Sequence, residues 1–154
     1  MWSFLYPPQT SLIISLGNQP APFHKIDSTG HLVNVGEPGP EALFYNDLSS
    51  EDAARWSARL QPHSWHSKEI PPSAAGVGWW EIPTSYLVCE KDGAIPAPFQ
   101  RKMIADANEA LKARGSTRTI RQEVVDSSHS PFLSMPNRTA DFIRRSAGET
   151  VLGE

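Results

Sequence analysis

Two residues in the last third of the chain could perform acid–base chemistry together. Asp92 follows the apolar run YLVC at 86–89, and His129 follows a second strand-like run that ends in VV at 124–125. Each residue therefore stands just past the end of a predicted strand. A carboxylate and a histidine in such places can serve in a Ser-His-Asp triad, in which the carboxylate fixes the imidazole tautomer and the imidazole takes the proton of the nucleophile.

The nucleophile of such a triad has no matching position in the sequence. It is expected before the carboxylate in chain order, on a G-x-S-x-G turn, and the 154 residues contain no G-x-S-x-G. Ser15 lies two residues before a glycine but lacks the first glycine of the motif, and Ser28 lies in a plain turn sequence. Cys89 lies inside an apolar strand, where a thiolate is disfavoured. The sequence therefore predicts two of the three triad groups.

A predicted strand–helix–strand segment places the two candidate residues. Residues 85–89 have the composition of a short buried parallel strand, and residues 119–125 are predicted as the next strand. Between them a helix is predicted to begin at Pro96 to Pro98 and to run to about Arg114, because proline favours the first helical turn and Gly115 favours termination. One stripe of this helix is predicted to face the core: Phe99, Met103, Ala107 and Leu111.

A final helix is predicted after His129. It begins near Pro136 with Ser134 as its N-cap, and it carries Ala140 and Ile143 inward. Strand, helix, strand and helix in this order form a β-α-β-α unit of a doubly wound sheet. Parallel strands are buried on both faces and need neighbours. With only two strands, we expect an exposed apolar sheet edge through which the chain could self-associate or bind a partner.

The first eighty residues have a different composition. Residues 1–40 are rich in proline and glycine and are predicted to form only short elements. Residues 41–62 are predicted to be helical, with Ser49 and the aspartate three residues later as a capping box and Pro62 as the stop. Residues 63–81 are predicted to be an aromatic loop.

Composition and charge argue against several functional classes. The net charge of −3 and the isoelectric point near 5.9 argue against nucleic-acid binding and against a polybasic membrane surface. The single cysteine, Cys89, excludes an internal disulfide and fits a reducing compartment, so a cytoplasmic location is expected. No secretory signal is predicted, because the apolar start lacks a basic region and contains two prolines. No membrane span is predicted, because no apolar run is long enough to cross a bilayer.

Several short motifs surround the candidate residues. They are FYNDL at 44–48, IPTSYLVC at 82–89, AIP at 94–96, Gln100 and SHSPFLS at 128–134. As a set they resemble the C-terminal half of an α/β-hydrolase of the lidded esterase type, as in fungal hydrolases and, more distantly, plant methylesterases and hydroxynitrile lyases. The resemblance runs from about residue 6 to 147. It implies an α/β fold, with a lid-like region at 1–80 and the last β-α-β-α part of an incomplete sheet at 81–154.

The resemblance also implies roles for individual residues. His129 would be the triad base and Asp92 its orienter, in preference to a solvated histidine and an Asp-Gly turn residue. Trp65, Trp79 and Phe44 would line an apolar substrate pocket under the lid, although aromatic residues most often pack in the core.

No cofactor and no metal are predicted. His63 and His66 are three residues apart, but no third ligand with suitable spacing follows, and one cysteine provides no thiolate set. A pocket-lining or surface role is favoured for both histidines.

Three functions stay open at the level of sequence. In the first, the protein hydrolyses an ester of a small-molecule pathway by acyl-enzyme chemistry, and this chain is a truncated or inactive form whose serine lies upstream of Met1. In the second, the short chain uses Asp92 and His129 for isomerase-, lyase- or cyclase-like proton transfer without a nucleophile. In the third, it is a non-catalytic protein that docks through its open sheet edge.

Overall fold

The computed structural model describes residues 4–72 and 76–151, which form two small sheets and eight helices. The helices are α1 (Leu12–Ser15), α2 (Pro40–Phe44), α3 (Ser50–Ser57), α4 (His66–Glu69), α5 (Gly78–Glu81), α6 (Ala97–Ala113), α7 (Pro131–Ser134) and α8 (Pro136–Ser146). The strands are β1 (His24–Ile26), β2 (Leu32–Val35), β3 (His63–Ser64), β4 (Ser85–Cys89) and β5 (Arg121–Val125). None of the described helices is long and apolar enough to cross a membrane.

The predicted β-α-β-α unit is present in the C-terminal part of the chain. Strands β4 and β5 pair in parallel, with Ser85 opposite Arg121 and Cys89 opposite Val125. The 17-residue helix α6 connects them, and Gly115 follows it with a φ of 76°, a left-handed conformation that suits glycine. Because the strands are parallel, their carboxyl ends meet at one edge of the sheet, where the loops that carry the candidate residues begin.

One face of α6 supplies much of the hydrophobic core. Met103, Ala107 and Leu111 are buried against Val88 of β4, as the stripe predicted. Complete burial of a leucine side chain such as that of Leu111 contributes about 1.5–3 kcal/mol to the free energy of unfolding. Phe99, the first member of the predicted stripe, is only half-buried because its ring lines a cavity.

The last helix differs from the prediction. Ser134 ends α7 and is not an N-cap, because α8 begins after Met135. Ala140 and Ile143 are exposed, and Ile143 keeps 59% of its accessible surface. Polar contacts anchor the helix instead, because the Arg145 guanidinium donates hydrogen bonds to Glu123 of β5 at 3.1 and 2.7 Å.

The first part of the chain forms short elements, as expected for residues 1–40, but the helix predicted over 41–62 is divided. The Ser49 hydroxyl accepts a hydrogen bond from the Asp52 amide at 3.1 Å and caps α3, as predicted. Helix α2 ends at Phe44, because the Asn46 side chain donates to the carbonyls of Ala42 and Lys91 and so competes with helical hydrogen bonding. Helix α3 ends at Ser57, five residues before Pro62, where the sequence predicts the end of the helix.

The segment at 63–81, predicted to be a loop, contains the short elements β3, α4 and α5. Strand β3 pairs antiparallel with β2, and β2 pairs antiparallel with β1, so the order is β1-β2-β3. This small sheet faces the loops that follow β4 and β5 across a cavity.

Helix α2 packs closely against the loop that carries Asp92. A Cβ atom at Gly93 would lie 2.6 Å from the Ala42 carbonyl oxygen and 3.0 Å from the Leu43 Cα. Both neighbours are backbone atoms, so they cannot rotate away as a flexible side chain would. The absence of a side chain at Gly93 is therefore what permits the close approach of the two segments.

We expect Gly93→Ala to lower the free energy of unfolding by about 1–3 kcal/mol, because the added methyl group overpacks a backbone contact. Urea denaturation checks this value. Gly78→Ala is the matched control, since a Cβ at Gly78 would meet no atom within 4 Å. Equal stability of the two variants would contradict the close contact between α2 and the Asp92 loop.

Candidate active site

The structure brings Asp92 and His129 into direct contact. The Nδ1 atom of His129 lies 2.8 Å from Oδ1 and 2.9 Å from Oδ2 of Asp92. The side chain of Asp92 is 1% exposed and that of His129 is 12% exposed. A carboxylate at Nδ1 selects the tautomer with the proton on Nδ1, which makes Nε2 the basic nitrogen.

The Asp92 carboxylate is oriented by its own loop. Its Oδ1 atom accepts hydrogen bonds from the backbone N–H groups of Ala94 at 2.9 Å and Ile95 at 2.8 Å. Its Oδ2 atom accepts a hydrogen bond from Nε2 of Gln100 at 3.1 Å. The turn signal and the triad-like position are therefore compatible, because the same carboxylate caps its turn and contacts the histidine.

Gln100 connects the end of β4, the Asp92 loop and α6. Its side chain is buried at 1% exposure, and its Oε1 accepts a hydrogen bond from the Cys89 N–H at 3.0 Å. Its Nε2 donates to the carbonyls of Cys89 at 3.2 Å and Ile95 at 2.6 Å. The sequence placed Gln100 in a motif but gave it no role. A polar glutamine on the buried face of a predicted helix could have indicated that its side chain bonds to buried polar groups.

The loop that carries His129 is held by residues of the FYNDL motif. The Ser128 N–H donates a hydrogen bond to Oδ2 of Asp47 at 2.8 Å, and the Ser128 hydroxyl donates to the Phe44 carbonyl at 2.9 Å. The Ser130 N–H donates to the Ser128 hydroxyl at 3.2 Å. Ser128 and Ser130 are buried, so these bonds satisfy polar groups that water does not reach.

The pKa of the Asp47 carboxyl lies below its usual range. Burial raises this pKa, but the hydrogen bonds to the carboxylate, first among them those from Ser128, together lower it more. A carboxyl whose pKa is depressed by folding stabilises the native state above its unfolded pKa, which is about 3.9. This stabilisation is lost as the pH falls through the pKa of the folded state.

We therefore expect Asp47→Ala to lower the free energy of unfolding by about 1–3 kcal/mol at pH 7, because the buried Ser128 N–H loses its acceptor. The difference in the free energy of unfolding between Asp47→Ala and the unmodified chain should shrink below about pH 4, where the carboxyl of the unfolded chain begins to be protonated. Chemical denaturation at several pH values measures both effects. Asp126→Ala is the control, because Asp126 is exposed and pairs with Lys91 at the surface. A difference that does not depend on pH would contradict this role of the carboxylate.

A cavity of about 790 Å³ opens beside His129. This volume lies in the range of small-molecule sites, which are mostly apolar with a few polar groups. Its apolar walls include Phe4, Leu12, Val33, Phe44, Ile95 and Phe99. Its polar lining includes His24, His63, Lys68, Ser57 and Ser130.

The three aromatic residues predicted to bind substrate lie in different places. Phe44 lines the cavity, and its ring centroid is 5.0 Å from that of His129. Trp65 is 6% exposed and packs edge-on against His24, behind the lining. Trp79 is 8% exposed and belongs to the hydrophobic core, where its Nε1 donates to the Tyr6 carbonyl at 3.3 Å. Among the described residues, the structure brings Phe44 to the cavity but neither tryptophan, because both indoles are buried by packing.

Three histidines line the cavity, and each has a pKa below the usual value. Burial lowers the pKa of His129, while contact with Asp92 raises it in part and the charge of Lys68 lowers it further. Burial, Lys68 and His63 lower the pKa of His24 to about 4. Burial and Lys68 lower the pKa of His63. The lowered pKa favours the neutral form of His129, which is the state that a general base requires.

Two other candidates of the sequence, Cys89 and His66, do not line the cavity. Burial raises the pKa of the Cys89 thiol, which agrees with its rejection as a nucleophile. His66 contacts Glu69 through Nδ1 at 2.9 Å and His31 through Nε2 at 3.4 Å, on the surface. Within 4–72 and 76–151, no group of three or more His, Cys, Asp or Glu residues could hold a metal ion.

The chain is similar to known hydrolases in sequence. The model of the alpha/beta hydrolase family matches residues 5–142. The alpha/beta hydrolase nvfD of Aspergillus novofumigatus is 35% identical over 80 residues, which cover 51% of this chain and 28% of that protein. A probable hydrolase of Phoma sp. is 33% identical over 103 residues, which cover 67% of this chain and 39% of that protein. The matched segments thus span well under half the length of these relatives.

Solved structures show the same fold. A pyrethroid hydrolase from Sphingobium faniae JZ-2 superposes with a TM-score of 0.67 at 18% identity, over 94% of this chain and 58% of that chain. Polyneuridine aldehyde esterase superposes with a TM-score of 0.59 at 16% identity, over 91% of this chain and 57% of that chain. The fold is therefore the α/β-hydrolase fold with a partial sheet. The chain belongs to the alpha/beta hydrolase family.

Proposed function

We propose that the protein hydrolyses an ester or a related acyl bond of a small molecule, with His129 as general base and Asp92 as its orienter. The observation that carries this proposal is the contact of 2.8 Å between Nδ1 of His129 and Asp92, beside an apolar cavity. In this chemistry the base takes the proton of a serine as the serine attacks the acyl carbon, and then gives the proton to the leaving alcohol.

The serine that completes this reaction is proposed to lie outside these 154 residues. No G-x-S-x-G turn occurs in the chain, and the matched segments span only part of the related hydrolases. On this proposal the 154 residues alone turn over no ester. The cytoplasmic location and the place in a fungal small-molecule pathway stay predictions of the sequence.

Residues 1–80 are proposed to act as the lid of the substrate pocket, and residues 81–154 as part of the catalytic domain. The distribution of the cavity lining supports this division. Val33, Phe44 and His63 line it from the first region, and Ile95 and His129 line it from the second. A substrate in the cavity would then be enclosed between the two regions.

Full-length sequencing of the transcript is the first experiment. We expect an in-frame upstream segment that encodes a G-x-S-x-G turn followed by a helix. The extended protein should hydrolyse p-nitrophenyl acetate, and His129→Ala should abolish this activity. His66→Ala is the matched control, because His66 lies on the surface. A transcript that begins at Met1 would refute hydrolysis through a serine triad.

A second candidate function is proton transfer without a nucleophile. It is favoured by the fact that the Asp92–His129 pair and the cavity both form within the described part of this chain. Isomerase, lyase or cyclase chemistry requires only a placed acid–base group. In this case the 154 residues would show an activity that His129→Ala abolishes and that a serine-directed phosphonate leaves unchanged. Inhibition by the phosphonate would rule this candidate out.

A further inference from the structure

Lys68 places a positive charge in the wall of an otherwise uncharged cavity. It is the one lysine among the cavity-lining residues that the structure describes, and these include no Arg, Asp or Glu. Burial lowers the pKa of its ammonium group. Its side chain is half-buried, and no carboxylate within 4–72 and 76–151 forms an ion pair with it. The neighbouring Glu69 is engaged instead with His66 at 2.9 Å. The ammonium group is thus partly removed from water without an anionic partner.

Lys68 lines the cavity together with His24, His63 and His129. Its charge lowers the pKa of His24, His63 and His129, so all three side chains experience its field. The hydroxyl oxygen of Ser57, which lines the same cavity, is buried and has no hydrogen-bond partner among the described residues. A second polar group of the cavity wall is therefore also unsatisfied.

An ammonium group without an anionic partner in an apolar cavity wall is unfavourable, since it loses hydration without gaining a partner. A ligand oxygen that carries negative charge would remove this deficit at Lys68, because hydrogen bonds between charged groups are stronger than neutral ones. Burial is the main cause of the lowered pKa of His24 and His63, and the charge of Lys68 lowers both further. Lys68 therefore contributes a positive potential that an anion would neutralise.

We propose that the cavity takes an acyl substrate that carries a carboxylate group, and that Lys68 binds this carboxylate. This inference rests on the proposed function, because it assigns the substrate class of the same site. The apolar walls would hold the hydrocarbon part of the substrate. Lys68 then determines specificity and takes no part in the proton transfers of His129.

The experiment compares two esters that differ in charge. Monobenzyl succinate carries an ester and a carboxylate, and benzyl methyl succinate carries two esters and no charge. Isothermal titration calorimetry with the 154-residue chain at pH 7 measures the affinity for each. We expect the carboxylate probe to bind at least tenfold more tightly. Lys68→Gln should bring the ratio of the two affinities close to one.

Two further variants serve as controls. Lys112→Gln removes an exposed lysine of α6 outside the cavity and should keep the full affinity ratio. Lys68→Arg retains the positive charge and should keep most of the affinity ratio. Dispersed amide resonances in the NMR spectrum show independently that Lys68→Gln is folded. Loss of the positive charge should then raise the pKa of His24 above about 4 but leave it below the usual value of 6.5, because burial still lowers it.

The possible outcomes separate the two proposals. Equal affinity for the two probes, or an affinity ratio that survives Lys68→Gln, would overturn the carboxylate specificity and leave ester hydrolysis untouched. Failure of both probes to bind would overturn the carboxylate site and would also count against the cavity as the substrate site.

Discussion

Asp92→Asn is expected to lower the pKa of His129 further and to reduce ester hydrolysis by the complete enzyme about 10⁴-fold. Burial and the charge of Lys68 lower the pKa of His129, whereas the hydrogen bond and charge of Asp92 raise it. Removal of the carboxylate charge removes the opposing contribution. In addition, an amide that donates to Nδ1 selects the tautomer in which Nε2 carries the proton and cannot act as a base.

The change in pKa can be measured on the 154-residue chain without any catalytic assay. NMR titration of the His129 ring should show a lower midpoint in Asp92→Asn than in the unmodified protein. Asp126→Asn is the matched control, because Asp126 also follows a parallel strand but is exposed and pairs with Lys91. An unchanged or higher pKa of His129 in Asp92→Asn would show that the carboxylate does not stabilise the imidazolium.

Gln100→Leu is expected to lower the free energy of unfolding by about 3 kcal/mol or more. The substitution leaves the Cys89 N–H and the carbonyls of Cys89 and Ile95 without their side-chain partner in a buried place. Each buried polar group that loses its partner costs about 1–3 kcal/mol. The Asp92 carboxylate also loses a donor, so the geometry of the Asp92–His129 pair should loosen.

Urea denaturation measures the free energy of unfolding of Gln100→Leu and of the control Gln122→Leu. Gln122 is exposed on β5, so the same chemical change there should alter stability by about 0.5 kcal/mol or less. Similar losses in the two variants would mean that Gln100 contributes no more than a surface residue. A large loss in Gln100→Leu alone, together with a shifted pKa of His129, would support a positioning role for Gln100.

Local chemistry made several elements predictable. Apolar composition identified the strand at 85–89, and the prolines and Gly115 bounded helix α6 closely. The Ser49 cap of α3 was also readable, because the cap and its partner lie three residues apart. In each case the groups that determine the element are close together in the sequence.

Other predictions failed where a distant contact decides the result. The helix predicted over 41–62 is broken because Asn46 bonds to Lys91, 45 residues away. The inward face predicted for Ala140 and Ile143 is exposed, and α8 contacts β5 through the hydrogen bond between Arg145 and Glu123. Periodicity reports which residues share a helix face, but it does not report what the face contacts.

The sequence by itself determined the family, the β-α-β-α unit and the meeting of Asp92 with His129. That meeting could be foreseen because parallel strands bring their carboxyl ends to one edge, so loops 37 residues apart converge. Only the tertiary structure decided that Asp47 holds the His129 loop across 81 residues and that Lys68 faces the cavity. These contacts depend on how the first region packs over the second, and no local pattern encodes that packing.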